Sequence, residues 1–276
     1  EGWAGKQAPH RAARRGAIRG AGIRRRPALY TFTMGGGAIL WASGNLLWCL
    51  GWPVFLVVFW WAAFLVVTIA GERLELARLQ QVSGAAQATF LLLLGILLTG
   101  LLLLGWSYDG GVRVFGVGLV GLALWLGRHD IARRTVKQTG LTRFIAICLL
   151  TGYVWLGISG LCAMLFGGVP VGPQYDATLH AFFLGFVFAM IFAHAPIIFP
   201  AVLGARMTYR PLFYAHVVLL HVTLFLRLIG DAAGWSAGRQ IGGLLNAVTL
   251  LLFLINTVSA LQSPPAQAGR VEIRAS

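Results

Sequence analysis

Polar residues divide this chain into long apolar runs, not into the short alternating segments of a soluble protein. Runs of about 17 to 25 residues are the length an α-helix needs to cross a ~30 Å hydrocarbon core. Eight occur, at residues 31–50, 53–71, 88–106, 112–127, 144–166, 177–199, 211–229 and 239–261. Each is expected to be helical, because a segment in lipid must satisfy its backbone hydrogen bonds internally. Thr31, Thr33, Gly35 to Gly37, Ser43 and Asn45 dilute the first run, and the fourth is the shortest. The break at Gly51-Trp52-Pro53 makes the first two runs an antiparallel hairpin, and Asp109-Gly110-Gly111 reads as the turn between the third and fourth. The expected fold is an all-α, polytopic integral membrane helix bundle of about eight transmembrane helices. Residues 1–30 would form a basic arm, 31–261 the bundle and 262–276 a tail.

Composition agrees with this pattern. With 58% hydrophobic against 11% charged residues, too little polar surface remains to cover a water-soluble globule. The ten Trp suit bilayer interfaces. Cys49, Cys148 and Cys162 fall in apolar runs without metal-type spacing, so they are expected as small buried apolar residues.

The net charge of +14 would suggest nucleic acid if the cations shared one folded face, but they sit in the tails and connections. Nucleic acid is therefore not an expected partner. Lys6, Arg11, Arg14, Arg15, Arg19, Arg24, Arg25 and Arg26 make the N-terminal arm polybasic, with Glu1 its sole acid. Such an arm beside a membrane is expected to touch anionic lipid. An organelle transit peptide shares this composition. With eight spans, alternate tails and connections carry 19 and 3 of the Lys and Arg, the three being Arg113, Arg227 and Arg239. Cytoplasmic connections carry the excess, so both termini are expected inside, in a bacterial cytoplasmic (inner) membrane.

Ionisable side chains inside a bilayer are costly, so the few present are the first pointers to function. His180 and His194 lie on the sixth run, and His216 and His221 on the seventh, while His10 and His129 lie in polar segments. On a regular α-helix the 14-residue separation of His180 and His194 turns both rings the same way, about 21 Å apart along the axis. Counting outward from the 200–210 connection puts His194 and His216 at similar depth. His221 lies ~7.5 Å deeper, rotated by about 140°. Neutral imidazoles on facing helices can hold a haem iron or a metal ion. His194 and His216 are the expected metal ligands, with His180 and His221 as further cofactor-binding residues for a haem b or copper. Equally, each ring can hydrogen-bond a neighbouring side chain or carbonyl as packing glue, with Asn246 and Asn256 of the eighth run or Asn45 of the first as partners. Pro196 is expected to loosen the turn beside His194. Phe182, Phe183, Phe186, Phe188 and Phe192 give the sixth run an aromatic surround.

The stretch His180-Ala181-Phe182-Phe183-Leu184-Gly185, with Met190 and the later Leu226-Arg227, resembles the H-A-x3-G-x4-M segment of the NnrS family of polytopic haem- and copper-containing membrane proteins linked to nitric oxide stress. The run from Phe192 through His194 and Pro196 to Pro200 is similar to a helix of haem-copper oxidase subunit I. These resemblances imply haem or metal ligation at His180 and His194 with a redox, electron-transfer or nitric-oxide-related role. Where the first family carries G-H-T-G, this chain has Leu203-Gly204-Ala205-Arg206, and it lacks the adjacent His pair of an oxidase binuclear centre. Oxygen reduction is thus not expected.

Two polar segments complete the picture. Residues 71–79 continue the second run with acids and bases three to six apart and are expected to be a helix with local ion pairs, lying in the interface or docking a soluble partner. Arg227 and Asp231, spaced i, i+4, are expected to pair. Against the redox reading stands a cofactor-free scaffold or accessory subunit with protein partners in a membrane complex, and third a transporter, though no carboxylate lies near a midplane.

Overall fold

In the computed structural model, which describes residues 29–77 and 82–262, the chain is helical almost throughout. The basic arm and the tail lie outside the described residues, apart from Leu29, Tyr30 and Gln262. The helices are α1 (Leu29–Cys49), α2 (Val54–Ala77), α3 (Gly84–Leu103), α4 (Tyr108–His129), the single turn α5 (Ala132–Thr135), α6 (Gly140–Phe166) and α7 (Pro173–His180). A π-helical segment, Ala181–Val187, continues α7 into α8 (Phe188–Leu203). Next come α9 (Phe213–Ala232) and α10 (Ser236–Ser259). The two-residue strands β1 (Arg206–Met207) and β2 (Leu261–Gln262) pair antiparallel.

Among the described residues, seven helices are long and apolar enough to cross a membrane: α2, α3, α4, α6, the continuous α7–α8 rod, α9 and α10. The chain is an all-α, polytopic membrane bundle. The eighth expected span is α1, a 21-residue helix laid along α2, which its polar residues keep outside the seven. Most helices overrun their apolar runs by a few residues, because capping and tertiary contact extend a helix beyond the lipid-compatible stretch. The turn before α4 shows this. Ser107 Oγ accepts from Gly110 N at 3.2 Å, so Asp109, Gly110 and Gly111 form the first turn of α4 and the chain reverses before them, at 104–107.

The hairpins α1/α2, α3/α4 and α9/α10 flank α6, which packs on α4 on one side and on the π segment and α8 on the other. The crossing of α4 and α6 is set by Gly116 and Gly160. A Cβ on either would stand 2.6 or 2.7 Å from the other's carbonyl oxygen, so only glycine lets these backbones meet. Phe90, Phe115, Phe144, Phe182, Phe186 and Phe192 fill the interior. Of the cysteines expected to be buried, Cys148 is, Cys162 is half-buried and Cys49 is exposed at the end of α1.

Contacts between connections define two ends. At the α5 end, Thr208 N donates to Ala260 O at 3.1 Å, and Phe144 packs on Tyr209. At the α7 end, Gly168 N donates to Asp109 Oδ1 at 3.0 Å, and Tyr108 Oη donates to Val169 O at 3.4 Å.

Candidate functional site

The α5 end holds a charged cluster inside the bundle. Here α2 runs past its apolar stretch to Ala77, and Arg73 turns inward at 5% exposure. Its Nη2 donates to Glu72 Oε1 at 2.8 Å and lies 3.0 Å from His194 Nε2, which is 3.5 Å from the same carboxylate oxygen. Residues 71–77 continue the second span as a helix with a local Arg73–Glu72 ion pair, as expected, but Arg73 turns inward and ties α2 to α8. His194 Nδ1 lies 2.6 Å from Met190 O. A carbonyl can only accept, so Nδ1 carries the hydrogen and the Nε2 lone pair faces the guanidinium. Beside this group, buried Asp130 accepts from Tyr153 Oη at 2.7 Å and from Ala132 N at 2.7 Å. Glu72 and Arg73 are in electrostatic reach of Tyr153.

His216 lies at the expected depth but faces elsewhere. Its ring is 4.7 Å from that of Phe192, 5.4 Å from Phe253 and 6.1 Å from both Phe144 and Phe213. Phe192 precedes His194 by two residues, about 200° around the helix, so the residue that turns toward His216 is Phe192 and His194 points away. Asn256 Nδ2 donates to His216 Nδ1 at 3.4 Å, while Nε2 is buried without a hydrogen-bond partner. The contact with Asn256 is the packing partnership considered from the sequence. The structure does not bring the rings of His194 and His216 together.

His221 accepts from Trp155 Nε1 at its Nδ1, at 2.9 Å. The hydrogen of the neutral ring is therefore on Nε2, which is buried and unpartnered and has no lone pair to offer a metal. Trp155 lies against α7–α8 where Gly185 leaves room, since a Cβ at Gly185 would stand 2.5 Å from Trp155 Cγ.

His180 differs from the other three. Its Nδ1 donates to Asp176 O at 2.7 Å, which leaves the lone pair on Nε2, and among the described residues nothing hydrogen-bonds to that atom. The π segment begins at the next residue. Bonding i→i+5 takes about one more residue per turn than an α-helix, so the regular count that put His180 and His194 on one face fails across it. His180 sits among the charges of α7 and α9, with Arg227, Asp176 and Asp231 in electrostatic reach, whereas His194 meets α2.

The charges at this α7 end pair across helices, in place of the i, i+4 pair expected within α9. Arg227 Nη2 lies 3.9 Å from Asp176 Oδ2, and Arg227 Nη1 donates to Arg239 O at 3.4 Å. Arg239 Nε lies 3.2 Å from Asp231 Oδ1, a carboxylate whose side chain is 0% exposed. Arg227 Nε is buried without a partner.

Among the described residues no group of three or more His, Cys, Asp or Glu is placed to hold a metal ion. Pro196 stays inside a continuous α8, and the helix irregularity lies before it, at 181–187. Sequence reasoning missed Arg73, Asp130, Tyr153 and Trp155. Asp130 offered a signal, as the sole acid among Arg128, Arg133, Arg134, Lys137 and Arg143.

A family model described as a domain of unknown function (DUF8744) matches residues 17–262. No curated protein and no solved structure matches the chain.

Proposed function

This chain belongs to the DUF8744 family, and we propose that it is an integral membrane protein holding a haem b or a metal through one histidine, His180, in a redox or nitric-oxide-related role. The observation that carries this reading is the hydrogen bond from His180 Nδ1 to Asp176 O. A ligating histidine keeps its Nε2 lone pair free and has its other ring nitrogen fixed by a carbonyl or carboxylate. Of the four candidates, His180 meets both conditions. His194 directs its lone pair at Arg73, His221 has its hydrogen on Nε2, and His216 is enclosed by four phenylalanines. His180 also opens the stretch that resembles the NnrS family. Arg227, in electrostatic reach of His180 and with a buried unpartnered Nε, is the cation beside it. When bound, the group would supply one-electron chemistry or capture of a small diatomic ligand. The chain's own residues orient the imidazole through Asp176 O and place charged groups of α7 and α9 beside it.

The second reading, an accessory subunit whose histidines are packing groups, is supported by the bonds of His216 to Asn256 and of His221 to Trp155. An absorption spectrum and metal analysis of protein purified in mild detergent separate the two. The first reading expects a Soret band or a stoichiometric metal. A colourless, metal-free protein that co-purifies with a stable partner supports the second. In either case the arrangement of cations favours the α5 end, with the termini, on the cytoplasmic side of a bacterial inner membrane.

A further inference from the structure

The α4–α6 connection has a construction that the cofactor reading does not use. Five cations in it and on the adjoining helix ends, Arg128, Arg133, Arg134, Lys137 and Arg143, are exposed. Among the described residues none of the five forms an ion pair. The one acid in this stretch, Asp130, is turned away from them. It is 2% exposed and spends both oxygens inward, Oδ2 on Tyr153 Oη and Oδ1 on Ala132 N. That second bond fixes the start of α5, whose Ala132 is fully buried. Arg133 Nη1 donates back to Arg128 O at 3.2 Å, which ties the two sides of the connection together. The result is a held platform with cations outward and its only carboxylate inward. It stands where two membrane-spanning helices, α4 and α6, reach the surface.

We propose that this platform binds the phosphate headgroups of anionic lipids in the leaflet at the α5 end, and that the Tyr153–Asp130 bond keeps it fit to do so. Clustered Lys and Arg beside a spanning helix are attracted to an anionic leaflet through its surface potential. Freed from Tyr153, Asp130 would be able to turn outward and place a negative charge among the cations. The proposal is independent of any cofactor at His180 and does not involve the polybasic arm.

Native mass spectrometry of the full chain in detergent, with phosphatidylglycerol or phosphatidylcholine added, tests it. The surface triple variant R133Q/R134Q/K137Q should retain phosphatidylglycerol at least about tenfold less than the unmodified protein, with phosphatidylcholine unchanged. Tyr153→Phe keeps every cation and should still lower phosphatidylglycerol retention several-fold, an effect that net charge alone does not give. Inorganic phosphate at the same concentration should displace little lipid. Equal phosphatidylglycerol retention by the triple variant and the unmodified protein overturns the proposal. Full displacement by inorganic phosphate also overturns it, by making the platform a site for the soluble anion. Unchanged retention in Tyr153→Phe overturns the role given to the inward carboxylate.

Discussion

Arg73 and Asp130 each carry a charge into the bundle, and each is met by named partners. Arg73 has Glu72 and His194, and Asp130 has Tyr153 and the backbone of α5. A hydrogen bond to a buried charge contributes about 1.5–3 kcal/mol. Tyr153→Phe is expected to lower stability by that amount in denaturant titrations in detergent, because Asp130 loses the donor that holds it inside the bundle. Arg73→Met removes the link between α2 and α8 and leaves the His194 lone pair unanswered, for a loss of about 1–3 kcal/mol. Restoring full stability by adding His194→Leu to Arg73→Met would show that the loss comes from the orphaned ring. Little of this was legible in the sequence. Acids and bases at 72–78 look the same whether they lie in an interface or turn inward. The difference is made by α8, which is distant in the chain. The histidines were legible as candidates, but not their hydrogen positions, which depend on a carbonyl four residues earlier for His180 and His194 and on an indole 66 residues away for His221.

At the scale of elements, hydropathy located every spanning helix, because lipid allows few other solutions for an apolar run of that length. It did not reveal the π segment, which has no compositional mark of its own. Ala181–Val187 reads as any other apolar stretch, and its register change separates the faces of His180 and His194. Gly185 and Trp155 show what the segment packs against. Gly185→Ala places a methyl group where the indole lies, so Trp155 must shift and its bond to His221 must lengthen. The expected cost is about 1–3 kcal/mol, the usual range for overpacking a filled interior. Thermal unfolding in detergent reads it, and a neutral Gly185→Ala would mean that the segment adapts without strain.

For the whole molecule, the alternation of helices puts residues 130–139, 204–212 and 260–262 at one end and 50–53, 104–107, 167–172 and 233–235 at the other. Membrane-impermeant thiol reagents applied to closed cells check which end faces out. In a Cys49→Ser background, Trp106→Cys is expected to label from outside, while Lys137→Cys and Arg210→Cys label only after permeabilisation. The reverse pattern would invert the orientation that the cations predict.

The four intramembrane histidines give the most direct measurement. Each is changed singly to alanine, and the purified proteins are compared by absorption spectrum and metal content. His194→Ala, His216→Ala and His221→Ala are expected to keep the Soret band or bound metal of the unmodified protein, and His180→Ala alone to lose it. A signal that survives His180→Ala, or an unmodified protein with neither band nor metal, contradicts ligation by His180.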